Sequence, residues 1–153
     1  MQWWNRVIRA DFQLLKLEEW IKKQGYQLVK GTNLADCIDN KKKLICLNTR
    51  SKIEHQLYSL LHECGHLHTR KDKRKFTDKF KTLVNLEEKE HKRKPLLFYM
   101  QEIEDEVSAW RAGEKLAKKL KISLSSNLYY KYASRFIFGY MTFAVASRKS
   151  RHR

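Results

Sequence analysis

The chain has 153 residues and a formal net charge of +16, from 33 Lys and Arg against 17 Asp and Glu. That length suits a single domain spanning 1–153 with one core and excludes a repeat array, since no internal period is visible. The three cysteines, Cys37, Cys46 and Cys64, are too few and too odd in number for a disulfide framework, so a reducing, cytoplasmic setting is expected.

Met1-Gln2-Trp3-Trp4-Asn5-Arg6 has neither the apolar run nor the cleavage site of a secretory signal. Phe12, Leu15, Trp20 and Ile21 then predict an amphipathic helix ending near Gly25. Tyr26 to Val29 and Ala35 to Leu47 read as short strands, the second folded as a hairpin about Asp39-Asn40-Lys41, giving a small antiparallel sheet. Cys37 and Cys46 in these strands, and Cys64 beyond them, are expected as buried small hydrophobes.

Ser51-Lys52-Ile53-Glu54 has the form of a capping box, and Ile53, Leu57, Leu60, Leu61 and Cys64 recur at helical spacing to make an apolar face. Inside this helix stands His62-Glu63-Cys64-Gly65-His66, the HExxH pattern of zinc-dependent hydrolases. Residues four apart share a helix face, so His62 and His66 can reach one metal ion while Glu63 lies beside its open position. Such a site lowers the pKa of bound water to about 7, and a nearby carboxylate can take the proton as a general base. Gly65 costs the helix about 1 kcal/mol relative to alanine, which predicts a close neighbour at that position.

From Thr69 to Lys94 the chain turns basic and polar, with Arg70-Lys71-Asp72-Lys73-Arg74-Lys75 at one end and Lys92-Arg93-Lys94 at the other. An exposed insertion is expected, with a helical piece from Phe76 to Leu86 that can serve as a lid or docking surface. A long helix is predicted from Leu96 to Leu120, after Pro95 and with lysines near its far end. At about 100° per residue, Glu106 falls at the centre of a stripe made by Tyr99, Ile103, Trp110, Gly113 and Ala117. A carboxylate directed into an apolar interior calls for a partner or a metal, which makes Glu106 the expected third ligand. Glu102, one turn earlier, is the alternative ligand or an acceptor for an imidazole N–H. Glu104 points to the opposite, solvated face.

The last helix starts around Ser123-Leu124-Ser125-Ser126 and carries Tyr129, Tyr130, Phe136, Phe138, Tyr140 and Phe143. Its apolar stretch, Phe136 to Ala146, is too short to span a bilayer and is expected to pack in the core, with a membrane-surface helix as the alternative. A basic tail, Ser147 to Arg153, closes the chain. The positive charge invites nucleic acid or an acidic partner, set against a merely solvated basic surface.

Leu60-Leu61-His62-Glu63-Cys64-Gly65-His66-Leu67, followed downstream by Glu106-Val107-Ser108-Ala109-Trp110, resembles the ImmA/IrrE-type metallopeptidases of bacteria and their mobile elements. The resemblance runs from roughly Leu44 to Ala117 and implies His62, His66 and Glu106 as zinc ligands and Glu63 as general base. Trp110 stands where Asn or Asp commonly follows the alanine in that family, and no helix-turn-helix segment is evident. The small, lysine-rich chain is similar to stand-alone members carried by phages. SprT-like proteases, which act near DNA, also carry HExxH, often with a central cysteine such as Cys64. Their third ligand is a histidine, a role for which His91 is the only central candidate, and no CxxC pair exists for their zinc ribbon.

The expectation is therefore an α+β, mostly helical zincin-like domain that binds one Zn2+ and hydrolyses a peptide bond in a protein or peptide substrate, such as a bacterial or phage regulator. Tyr58, His68, Tyr99 and Tyr129 are the candidates for stabilising the developing oxyanion. The alternative is a non-catalytic basic module that keeps the metal site and binds nucleic acid or a partner.

Overall fold

The computed structural model describes residues 2–87, 89 and 94–149, the side chains of 2–9, 148 and 149 excepted. His91, Lys92, Arg93 and the last four positions of the basic tail lie outside the described residues. The chain order is α1 (Gln2–Lys23), β1 (Gln27–Gly31), β2 (Cys37–Asp39), β3 (Leu44–Asn48), α2 (Ile53–Thr69), α3 (Lys73–Lys79), α4 (Lys81–Leu86), α5 (Leu96–Lys119) and α6 (Ser126–Lys149). The class is α+β, dominated by helix, as the sequence predicts.

In α1 the inward face is made by Ala10, Leu14, Leu17 and Ile21, whereas Phe12 and Leu15 point to solvent. The expected helix is there, but two of the four residues that suggested it lie on its outer side. It ends at Gly25, whose φ of 80° suits a residue without a Cβ, and the Tyr26 N–H closes the turn on the Ile21 carbonyl at 3.2 Å.

The sheet is mixed rather than antiparallel. β2 and β3 form the expected hairpin, with the Asp39 side chain accepting from the backbone N–H groups of Lys41 and Lys42. β1, however, pairs with β3 in parallel, in the order β1-β3-β2. The connection at 32–36 carries the chain past the centre of the sheet, so β2 takes the far edge and the return strand fills the gap. β3 alternates, with Ile45 and Leu47 buried. Cys64 is fully buried and Cys46 half-buried, but Cys37 is exposed on the edge strand, contrary to expectation.

α2 begins one residue later than a capping box at Ser51 requires. Lys52 occupies the cap position without a side-chain bond, and the Gln56 amide instead donates to the Thr49 and Ser51 carbonyls. Its main partner is α5, which runs antiparallel to it. Gly65 faces Ala109, and Gly113 faces Leu61. A methyl at Gly65 would overlap the Ala109 carbonyl oxygen, and one at Gly113 would sit 2.5 Å from the Leu61 carbonyl oxygen. The close neighbour predicted for Gly65 is thus the backbone of α5.

The segment after α2 is more than an exposed connection. The helical piece expected over Phe76–Leu86 is broken at Phe80, and Phe80 and Leu83 join Phe98, Tyr99 and Ala144 in a second small core. α6 runs back along α5, burying Tyr129, Ala133 and Ala144 but leaving Phe138, Met141, Phe143 and Val145 exposed. Its apolar stretch is therefore only partly core. No described helix is long and apolar enough to cross a membrane.

Gly65→Ala is expected to lower unfolding stability by about 2–3 kcal/mol, because two backbones must separate. Gly139→Ala, at an exposed helical position with open space around it, is expected to raise stability by about 0.5–1 kcal/mol. Urea unfolding of both variants checks the pair.

Candidate metal centre

His62 and His66 project from α2 toward α5, their ring centroids 4.6 Å apart. Glu106 meets both. One carboxylate oxygen lies 3.1 Å from His62 Nε2 and the other 3.2 Å from His66 Nε2. Donors around a tetrahedral ion with bonds of about 2.0–2.1 Å stand roughly 3.3 Å apart, so these separations match the spacing of a ligand set. The three ligand atoms all fall within 4.8 Å of one another, and His62, His66 and Glu106 are the group among the described residues that could hold a metal ion.

Electrostatics keep the carboxylate ionised. Burial acts to raise Glu106, but hydrogen bonds and attraction from the two imidazoles outweigh it and hold the group well below the usual carboxylate range. Burial pushes His62 below its ordinary value despite Glu106. For His66 burial acts the same way, yet the Glu106 and Asp105 carboxylates overcome it, so His66 lies above its ordinary value. A charged carboxylate between two imidazole nitrogens is the chemistry a divalent cation requires.

Two neighbours orient the histidines, and neither is Glu102. Trp110 lies flat against the His62 ring, at 4.2 Å between centroids and 22° between planes. The tryptophan therefore holds His62 by stacking, and His62 Nδ1 has no hydrogen-bond partner among the described residues. Behind His66 stands Asp105, 1% exposed, with an oxygen 3.6 Å from His66 Nδ1 and 2.6 Å from an Arg70 guanidinium nitrogen. Asp105 had no assigned role in the sequence. Its signal was its place just before Glu106, on the adjoining face of the same helix. Glu102 is half-buried one turn away and raised above its ordinary value, chiefly by burial. Glu104 is exposed, as expected, and pairs with Lys79.

Glu63 is buried beside His62, and burial pushes its carboxyl up to about 7. It opens onto a pocket of about 130 Å³ lined by His62, Glu106, Asp36, Ser59, Phe136 and Tyr140 as well. The chain matches no family model, no curated protein and no solved structure. The pocket's character rests on its own residues. None of Tyr58, His68, Tyr99 and Tyr129 lines it. Tyr58 and Tyr99 are buried in the two cores, Tyr129 donates to the Trp110 carbonyl oxygen at 3.0 Å, and His68 faces outward. Tyr140 does line the pocket, and burial and then the facing Glu106 push its phenol above its ordinary value. Asp36, whose side chain accepts from the Asn48 N–H, was equally silent in the sequence. No described residue of the basic insertion lines the pocket.

Arg70→Met is expected to cost about 3 kcal/mol, because it strands the Asp105 carboxylate in the interior. Adding Asp105→Leu is expected to recover most of that loss, since no buried charge then remains unpaired. Denaturant midpoints of the two variants measure the difference.

Proposed function

We propose that this chain is a zincin-like, zinc-dependent peptidase in which His62, His66 and Glu106 hold the metal and Glu63 is the general base. The observation that carries the reading is the bridging of His62 Nε2 and His66 Nε2 by the two oxygens of Glu106, from a separate helix, beside a pocket that also receives Glu63. Two imidazoles and a carboxylate, with a further carboxylate close by, form the ligand set and base of the His2Glu hydrolytic sites. The resemblance of His62–His66 and Glu106–Trp110 to ImmA/IrrE-type metallopeptidases supports the same assignment.

Bound zinc would polarise the scissile carbonyl and acidify a water. At its carboxylate Glu63 would accept a proton from the attacking water and pass it to the departing amide nitrogen. Tyr140 donates its hydroxyl hydrogen to the carbonyl oxygen as negative charge grows there, a role that favours a neutral phenol. Phe136 and Trp110 supply apolar walls that limit water around the reacting bond.

Metal analysis of the purified protein by mass spectrometry is expected to give one zinc per chain. His62→Ala and Glu106→Ala are expected to abolish it, and Glu102→Ala to retain it. A parent chain that takes up no zinc from a replete medium sinks the reading. With a peptide library as substrate, Glu63→Gln is expected to keep zinc while turnover drops about 10²–10⁴-fold. Tyr140→Phe is expected to lower kcat about 10²-fold with zinc content unchanged.

A further inference from the structure

A second cavity of the described structure lies away from the metal group. It holds about 450 Å³, in the size range of small-molecule sites, and is framed by the hairpin turn, the end of α2 and the helices α3 and α4. Lys43, Arg70, Lys71 and Lys73 face it, against one carboxylate among the described residues, Glu87. Arg70 is already neutralised by Asp105. Lys43, Lys71 and Lys73 make no ion pair with any described carboxylate.

Such a concentration of like charge is unfavourable without an anion to share it, and two features show that it is held in place. Lys43 sits at φ 57°, in the left-handed region where a lysine carries a backbone cost that glycine or asparagine largely escapes. Its ammonium lies 4.7 Å from the centre of the Tyr26 ring and 3.3 Å from the Tyr26 hydroxyl, which itself donates to Asn40. Opposite, the Arg70 guanidinium covers the Phe76 ring at 5.2 Å. The cavity thus has a cation set against an aromatic ring at each side, Lys43 on Tyr26 and Arg70 on Phe76, and two exposed lysines, Lys71 and Lys73, in its lining.

We propose that this cavity binds a small, multiply phosphorylated ligand, its phosphates taken by Lys43, Lys71 and Lys73. Lysine ammonium groups act as point charges on phosphate oxygens, and three of them suit a chain of phosphates better than a single carboxylate. If the ligand is a nucleotide, the Phe76 ring with the Arg70 guanidinium over it is the flat surface that its base would meet. Arg70 is shared with the Asp105–His66 contact, so removing it would disturb the metal group as well. The lysines are the clean handles.

Isothermal titration with tripolyphosphate at about 0.15 M salt, where the Debye length is about 8 Å, separates a local site from the diffuse positive field. One equivalent is expected to bind per chain. The variant Lys43→Asn/Lys71→Ala/Lys73→Ala is expected to weaken it at least about tenfold, given the strength of hydrogen bonds to charged groups. A control with the same charge change on exposed positions, Lys52→Ala/Lys115→Ala/Lys119→Ala, is expected to bind as the parent does. A parallel titration with ATP identifies the source of the phosphates. Tighter binding than tripolyphosphate, with the gain lost in Phe76→Leu, marks a nucleotide; equal binding marks inorganic polyphosphate. No saturable binding of either probe, or equal weakening in both triple variants, overturns the proposal.

Discussion

The whole arrangement depends on how closely α2 and α5 approach each other. Gly65 and Gly113 remove the side chains that would hold the helices apart, so that Gly65 meets the backbone of Ala109 and Gly113 that of Leu61. With those backbones in contact, Glu106 needs only its own short side chain to reach both imidazoles. One added methyl at Gly65 pushes against a carbonyl oxygen, not against a rotatable side chain, so the strain falls on the spacing of the helices. The glycine that weakens α2 as an isolated helix is therefore what permits Glu106 to meet the two histidines.

Around that seam, polar groups are buried in linked pairs. Asp105 offsets Arg70 and stands against the far side of His66, while Glu106 faces the near side. His66 is thus held between two carboxylates, and His62 between a carboxylate and the face of Trp110. The two histidines have unlike surroundings: one is oriented by charge, the other by stacking. Aromatic packing continues outward from Trp110 to Tyr129, Tyr132 and Phe136, which ties α6 to the site and brings Tyr140 to its pocket.

Where local pattern and burial coincide, the residues were readable in advance. Glu106 lies on the apolar stripe of a long helix, and the stripe is what faces α2, so its inward direction follows from a period of 3.6 alone. Phe12 and Leu15 show the limit of the same argument. Leucine and phenylalanine occur on both sides of α1, and only the position of α2 and the sheet decides that Leu14, Leu17 and Ile21 are the buried set. The sheet fails for a related reason. Hairpin chemistry at Asp39 is local and was visible, but the parallel pairing of β1 with β3 joins segments whose contact no turn residue encodes.

By itself the sequence determined the two histidines on one helix face, the inward carboxylate on another helix, and the need for a close neighbour at Gly65. Those features depend on backbone periodicity and the size of a single side chain. Tertiary structure alone decided that Asp105 stands behind His66, that Trp110 stacks on His62, and that Tyr140 and Asp36 enter the pocket. It also decided that three lysines from the hairpin turn, the end of α2 and the start of α3 share one cavity. Contacts between residues far apart in the chain depend on how elements cross, and a helix or strand period carries no information about the element it will meet.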